Sequence, residues 1–160
     1  VENPVIIIRN EMTTSGKIEA ISISTKKGIP KSNIDSAILR ENWGIEGDAH
    51  AGEWHRQISL LADESIDKIR NAGLPEVKAG AFAENITTKN IDLLSVQIGS
   101  KLRIGKDIIL EITQIGKECH SRCAIYQIVG DCVMPKEGIF AKVLHGGKIS
   151  IDDRIEYYDI

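Results

Sequence analysis

The amino-acid sequence predicts a mainly β domain, barrel-like, with mostly antiparallel strands and few short helices. Three observations carry this expectation. Apolar residues recur in many short runs with alternating character. Turn signals rich in Gly, Pro, Asn and Asp separate the runs closely. One stretch alone, after Ala62, shows a helical period with a clear stop. The 160 residues suit one domain, and 42% hydrophobic and 27% charged content are ordinary for a globular protein.

In chain order, residues 1–16 read as an N-terminal extension or an edge strand, and residues 17–160 as the β-barrel-like domain. Val5–Ile8 is apolar, but the Asn10–Gly16 stretch after it is linker-like, and Met12 is a candidate natural start. Lys17–Ser24 alternates about Ile21 and Ile23, with Ser22 and Ser24 on the other face, which is the pattern of a half-buried strand. Lys27-Gly28-Ile29-Pro30 turns the chain, and Ser36–Arg40 is a second strand. A glycine-punctuated loop covers Trp43 to His55, and Gln57–Leu61 is a short apolar strand. The helix follows, with Asp63 as its expected cap, Ile66 and Ile69 on one face, and Gly73-Leu74-Pro75 as its stop. Strands are then expected near Ile86–Thr88, over Lys101–Ile104 and over Ile108–Ile115, the last two joined by a Gly105-Lys106-Asp107 turn. Ile139–Leu144 alternates again, His145-Gly146-Gly147-Lys148 is a tight connection, and Arg154–Tyr158 closes the domain.

A net charge of −3 gives no electrostatic footprint for nucleic acid. No run of 18 apolar residues exists, so no membrane-spanning helix is expected. An odd count of three cysteines without a secretory leader fits reduced thiols in the cytoplasm.

Reactive groups concentrate after the Ile108–Ile115 strand. Lys117, Cys119, His120, Arg122 and Cys123 fall within one turn, and Cys132 follows nine residues later. The thiolate is the reactive form of cysteine, and neighbouring cations favour it, so Cys119 and Cys123 are the candidate catalytic thiols. Cys132, flanked by Val133 and Met134, reads as packed. A zinc site from Cys119, His120, Cys123, Cys132 and a remote His is a weaker alternative, because a second knuckle is missing. In the glycine loop, Asp48, His50 and His55 are candidate ligands or acid–base groups, although an Asp bonded to its own backbone explains that residue equally well. Arg56 suits an anion, with an exposed ion pair as its plainer role. Glu84 and Asn85 stand at the start of a strand, where both are able to tie down a loop.

With both loops in view, the chain resembles the MOSC domain family, the C-terminal domain type of molybdenum-cofactor sulfurases. Five blocks match in order: Gly44 to His50, Arg56-Gln57 to Leu61, Gly80 to Thr87, Ile98-Gly99 with Leu102, and Thr113-Gln114 to Cys119. The likeness spans about residues 17 to 158, and the latter part looks like the small stand-alone bacterial type. Two turns depart from the family pattern. Its Gly-Asp reads Asp152-Asp153, and its Ile-Gly-Asp reads Ile98-Gly99-Ser100.

The resemblance implies a barrel-like fold. It also implies a sulfur carrier, in which a cysteine accepts sulfane sulfur from a pyridoxal-phosphate-dependent cysteine desulfurase. The sulfur then goes to a metal–sulfur centre. The cysteine counted from Thr113-Gln114 is Cys119, which by the same resemblance would ligate molybdenum of the cofactor. The molybdenum cofactor (molybdopterin) would bind transiently, with Asp48, His50, Arg56, Glu84, Asn85, Lys117, His120 and Arg122 as the candidate contacts. Pyridoxal phosphate belongs to the donor enzyme, and a molybdopterin-handling protein is the second expected partner. A non-catalytic module that docks such a partner remains the alternative.

Overall fold

The structure is a computed structural model that describes residues 14–118, 125, 129–130 and 132–158. Its strands are β1 (Ser15–Ile23), β2 (Ser32–Ile34), β3 (Ser36–Arg40), β4 (Gly44–Ile45), β5 (Ile58–Ala62), β6 (Ile86–Lys89), β7 (Lys101–Ile104), β8 (Ile108–Ile115), β9 (Ile139–His145), β10 (Gly147–Ser150) and β11 (Arg154–Tyr158). Seven of them run β11-β7-β8-β9-β5-β6-β1, and β1 pairs back onto β11, so the sheet closes into a barrel. Closure removes the exposed edges that an open sheet must otherwise protect. β2 extends β1 outside the ring, and β10, β3 and β4 form a separate three-stranded sheet.

The pairings are antiparallel except β5 with β6. Parallel neighbours need a crossover, and helix α1 (Asp63–Asn71) supplies it between these two strands. α1 carries Asp63 and Glu64 in its first turn and Lys68 and Arg70 in its last, which complements the helix dipole. Asp63 is not the cap. Ala62 occupies that position without a side-chain bond, and the Asp63 carboxylate accepts instead from Arg70 at 3.0 Å.

Every residue of β5 is buried, because the strand has a core on each side. Leu60 points into the barrel with Ile18, Ile86, Leu102, Leu110 and Ile112. Leu61 points outward into a second cluster with Ile66, Ile69, Phe82, Met134 and Phe140. Helix α2 (Met134–Glu137) packs over this outer cluster. Glu137 fastens α2 to α1 by accepting from Ser65 at 2.6 Å and from Lys68 at 2.7 Å.

The strands expected from alternation are present. β2, β4 and β10 were not anticipated, and His145 ends β9, opposite Ile109, rather than lying in a turn. The outer face of β1 also differs from expectation. Ser22 and Ser24 are buried rather than exposed, because polar loops fold over that face. Among the described residues no helix is long and apolar enough to cross a membrane.

Candidate functional site

A small cavity of about 90 Å3 opens where the loop before β5, the segment before β6, the end of β8 and α2 converge. Arg56 defines it. The guanidinium carbon lies 4.8 Å from the Trp54 ring centre and 5.4 Å from that of Phe140, so two aromatic faces hold the cation. Its Nε is buried and has no hydrogen-bond partner among the described residues. A buried N–H of a charged group without an acceptor is unfavourable, and an anion in the cavity would relieve it.

The end of β8 fixes the loop that carries Arg56. A bulge lies between Ile112 and Gln114, where β8 shifts register against β9. Bulges re-aim side chains, and here Thr113 and Gln114 turn toward the loop. The Thr113 hydroxyl meets the carbonyl oxygens of His55 and Phe140. The Gln114 amide oxygen pairs with His55 Nε2 at 2.8 Å, which makes exposed His55 a clip rather than a pocket group. Trp54 is anchored in turn, its indole N–H donating to the His50 carbonyl at 2.8 Å.

Behind the cavity lies a buried ion pair that sequence reading did not find. Lys31 and Asp48 have fully buried side chains, with Nζ and Oδ1 2.7 Å apart. Lys31 Nζ also donates to Ser24 Oγ at 3.1 Å and lies 3.0 Å from His50 Nδ1. Asp48 accepts from the backbone N–H groups of Ser24 and His50, both at 3.1 Å. Its carboxylate therefore ties its own loop, as the backbone-bonded alternative expected, and also pairs with a buried cation that the sequence did not suggest. Burial pushes Asp48 up, but the Lys31 ammonium and the backbone donors outweigh this and hold it below the usual carboxylate range. His50 lines the cavity and is lowered to about 4, first by burial and then by the Lys31 charge, so it is neutral at physiological pH. Nothing in the sequence near Lys31 marks it, since its carboxylate and imidazole partners are 17 and 19 residues away.

Glu84 and Asn85 do not line the cavity. Both are fully buried and hold its wall. The Glu84 carboxylate accepts from the N–H groups of Gly80 and Phe82 and from the Thr87 hydroxyl. Burial pushes this carboxyl above its ordinary range. Asn85 Oδ1 accepts from the Ser59 N–H at 3.0 Å, and its amide donates to the Ser22 carbonyl at 3.1 Å. Just before them, Ala83 is held at φ +64°, a left-handed conformation unusual for a residue with a Cβ, and it forms part of the cavity lining. Gly80 is required here: a Cβ would stand 2.5 Å from the Lys31 carbonyl oxygen.

Lys117 reaches the cavity because the chain leaves β8 through Gly116 at φ +72°. A Cβ at Gly116 would meet the Pro135 carbonyl oxygen at 2.4 Å, so α2 and this turn approach closely only with glycine. The Gly116 and Lys117 N–H groups donate to the carbonyls of Gly138 and Pro135. The next residues in sequence are Glu118 and Cys119. Cys119, His120, Arg122 and Cys123 lie outside the described residues. Cys132 packs partly buried against the outer apolar cluster, as its Val133-Met134 context predicts. Among the described residues no three His, Cys, Asp or Glu side chains gather as a metal site.

Arg56, Lys117 and neutral His50 make the cavity rich in donors, and Trp54, Phe140 and Met134 give it apolar walls. That donor set suits an oxyanion attached to a flat heterocycle. Ligand pockets for whole small molecules run from about 300 Å3 upward, so this cavity fits a phosphate-sized group and leaves the rest of such a molecule outside.

The fold is shared with solved structures. The YuaD protein from Bacillus subtilis superimposes with a TM-score of 0.77 at 20% identity, covering 91% of this chain and 97% of that one. YiiM from Escherichia coli gives 0.61 at 19% identity, covering 90% of this chain and 70% of that one, and YiiM from Geobacillus stearothermophilus gives 0.64 at 18%, covering 92% and 74%. A curated protein of Gibberella moniliformis (strain M3125 / FGSC 7600) named "Reductase" is 28% identical over 110 residues, 59% of this chain, and the chain covers only 20% of that protein's length. Residues 46–156, most of the chain, match the MOSC domain model, and the chain belongs to the MOSC domain family.

Proposed function

We propose that this chain is a sulfur carrier that meets the molybdenum cofactor at the Arg56 cavity. The MOSC family is associated with molybdenum-cofactor sulfurase-like function. The observation that carries the reading is the Arg56 guanidinium, clamped between Trp54 and Phe140 with its Nε unpaired among the described residues, beside Lys117, which is two residues from Cys119 in sequence. Arg56, Lys117 and His50 would receive the cofactor's phosphate group, and the aromatic walls would contact the ring system's near edge. Bound cofactor supplies the metal–sulfur centre that accepts the delivered sulfur.

The chain's own chemistry is thiol exchange. The Cys119 thiolate attacks the outer sulfur of a persulfide on a partner cysteine desulfurase. A new S–S bond forms on this chain, the donor's S–S bond breaks, and the donor cysteine leaves as a thiolate. Lys117, His120 and Arg122, close to Cys119 in sequence, favour the thiolate form.

Two measurements test this. Arg56→Ala is expected to weaken binding of molybdopterin by about tenfold or more, since charged hydrogen bonds contribute about 1.5–3 kcal/mol each, with the fold intact by circular dichroism. Unchanged affinity by titration reduces Arg56 to a packing residue. Second, each Cys→Ser variant is incubated with a desulfurase and free cysteine, and intact mass is read with and without reductant. Wild type and Cys132→Ser are expected to gain about 32 Da per persulfide, and Cys119→Ser is not. Loading of Cys119→Ser but not Cys123→Ser moves the acceptor to Cys123. Equal loading of all three variants, or none in wild type, defeats the carrier reading in favour of a docking module.

A further inference from the structure

We infer that Lys31 is a positioning residue that fixes His50 as an Nε2–H donor, so that the cationic and imidazole groups of the cavity present only donors to its ligand. The inference rests on the anion-binding reading of the Arg56 cavity and adds to it a residue outside the cavity lining.

An ammonium has three N–H donors and no acceptor. Lys31 Nζ has three neighbours in hydrogen-bond range: Asp48 Oδ1 at 2.7 Å, Ser24 Oγ at 3.1 Å and His50 Nδ1 at 3.0 Å. The third bond has one polarity only. Lys31 donates, so Nδ1 accepts and carries no proton. A neutral imidazole with a bare Nδ1 carries its hydrogen on Nε2. No group among the described residues bonds Nε2, and His50 is a cavity residue with 26% of its side chain exposed, while Lys31 and Asp48 have none. Asp48 completes the device. It neutralises the buried ammonium, and it holds the His50 backbone by accepting its N–H at 3.1 Å.

The charges around His50 act in the same direction. Lys31, Lys27 and Lys117 each disfavour a second proton, and Asp48 alone favours one. The imidazole is therefore a donor without being a cation. With Arg56 and Lys117 it forms a lining with no acceptor among its charged and imidazole groups. Such a lining takes an oxyanion whose oxygens are all acceptors, as in a fully ionised phosphate monoester or sulfate, and it disfavours one that must donate a proton.

The test uses the full chain labelled with 15N-histidine. Long-range 1H–15N spectra report which ring nitrogen carries hydrogen, and the His50 signals are assigned by their loss in His50→Gln. Wild type is expected to show a protonated Nε2 and a bare Nδ1, unchanged from pH 8 to pH 5. A hydrogen on Nδ1, or titration near the ordinary 6.5, overturns the inference without need of any variant. In Lys31→Met the remaining charged neighbour of Nδ1 is Asp48 Oδ2 at 3.9 Å. His50 is then expected to titrate at higher pH than in wild type and to lose its single tautomer. A folded Lys31→Met with the wild-type His50 spectrum also overturns it. Sulfate titration of wild type at pH 7 separates the two readings. A locked His50 without sulfate binding upholds this inference and overturns the anion cavity, whereas sulfate binding with a mixed tautomer does the reverse.

Discussion

Asp48 and Glu84 are both buried carboxylates in polar loops that border the same cavity, yet their surroundings drive them in opposite directions. Asp48 has a cation at 2.7 Å and is held low. Glu84 accepts from backbone N–H groups and a hydroxyl, which are neutral donors, and burial drives it up. At Glu84 the bonds from neutral donors anchor the carboxylate but do not offset its burial, whereas at Asp48 the added opposite charge does. Asp48 therefore belongs to the electrostatics of the site, because its partner Lys31 also touches His50. Glu84 belongs to the scaffold, because its bonds end on the segment that shapes Ala83.

The largest expected effect comes from breaking the charged member. Asp48→Ala leaves the Lys31 ammonium buried without its counter-charge, and the loss of stability is expected to be about 3–5 kcal/mol, read from urea unfolding. Lys31→Met combined with Asp48→Asn removes both charges and is expected to recover most of that loss. If the single and double variants fall equally, the ion pair is not what the loop depends on.

Glu84→Gln sharpens the other side. The amide oxygen can still accept from Gly80 and Thr87, but the amide nitrogen then faces the Phe82 N–H. The cost is that of one unsatisfied buried donor, about 1–3 kcal/mol. The pH dependence separates the two carboxylates by sign. The folded-state value of Glu84 is raised above its ordinary 4.5, so its contribution is full below that pH and is lost as pH rises through the folded value. Asp48 is depressed below its ordinary 3.8, so its contribution is present above that pH and is lost as pH falls through the folded value. The gap between wild type and Glu84→Gln should therefore shrink as pH rises from 4 toward neutrality. A gap that is flat with pH would mean that Glu84 is ionised at no cost.

These side chains also mark how far the sequence could be read. β1 and β9 announced themselves by alternation, because one face of each must meet the barrel core, whereas β5, buried on both faces, showed only as an apolar run. β2 and β4 span only three and two residues, too short for a period to register. Arg56 stood out because a lone guanidinium beside a glycine loop is uncommon chemistry. Its clamp did not, since Trp54 and Phe140 meet only when β9 pairs with β8. Lys31 was invisible for a related reason. Lysine is almost never buried unless paired, and the pairing reaches across β2, β3 and the start of the 43–56 loop. Ser22 and Ser24 read as a solvent face, yet both are buried, and the Ser24 hydroxyl accepts from Lys31. The cysteine turn was the plainest chemical signal in the sequence, and it lies outside the described residues.

A third carboxylate sets the lower bound of the comparison. Asp152 stands where the MOSC pattern carries glycine, and its φ of +72° shows why glycine suits the turn. Asp tolerates this left-handed conformation better than most residues. Its carboxylate lies 3.2 Å from Lys17 Nζ in a pair that is open to water on both sides. Asp152→Gly removes the backbone strain, but it also frees the unfolded chain and deletes the exposed pair, and these effects oppose one another. The unfolding midpoint is therefore expected to move by less than about 2 °C, against the large loss expected for Asp48→Ala. A fall of more than about 4 °C would show that the exposed pair holds β1 to the β10–β11 turn, and that burial is not what separates strong carboxylates from weak ones in this protein.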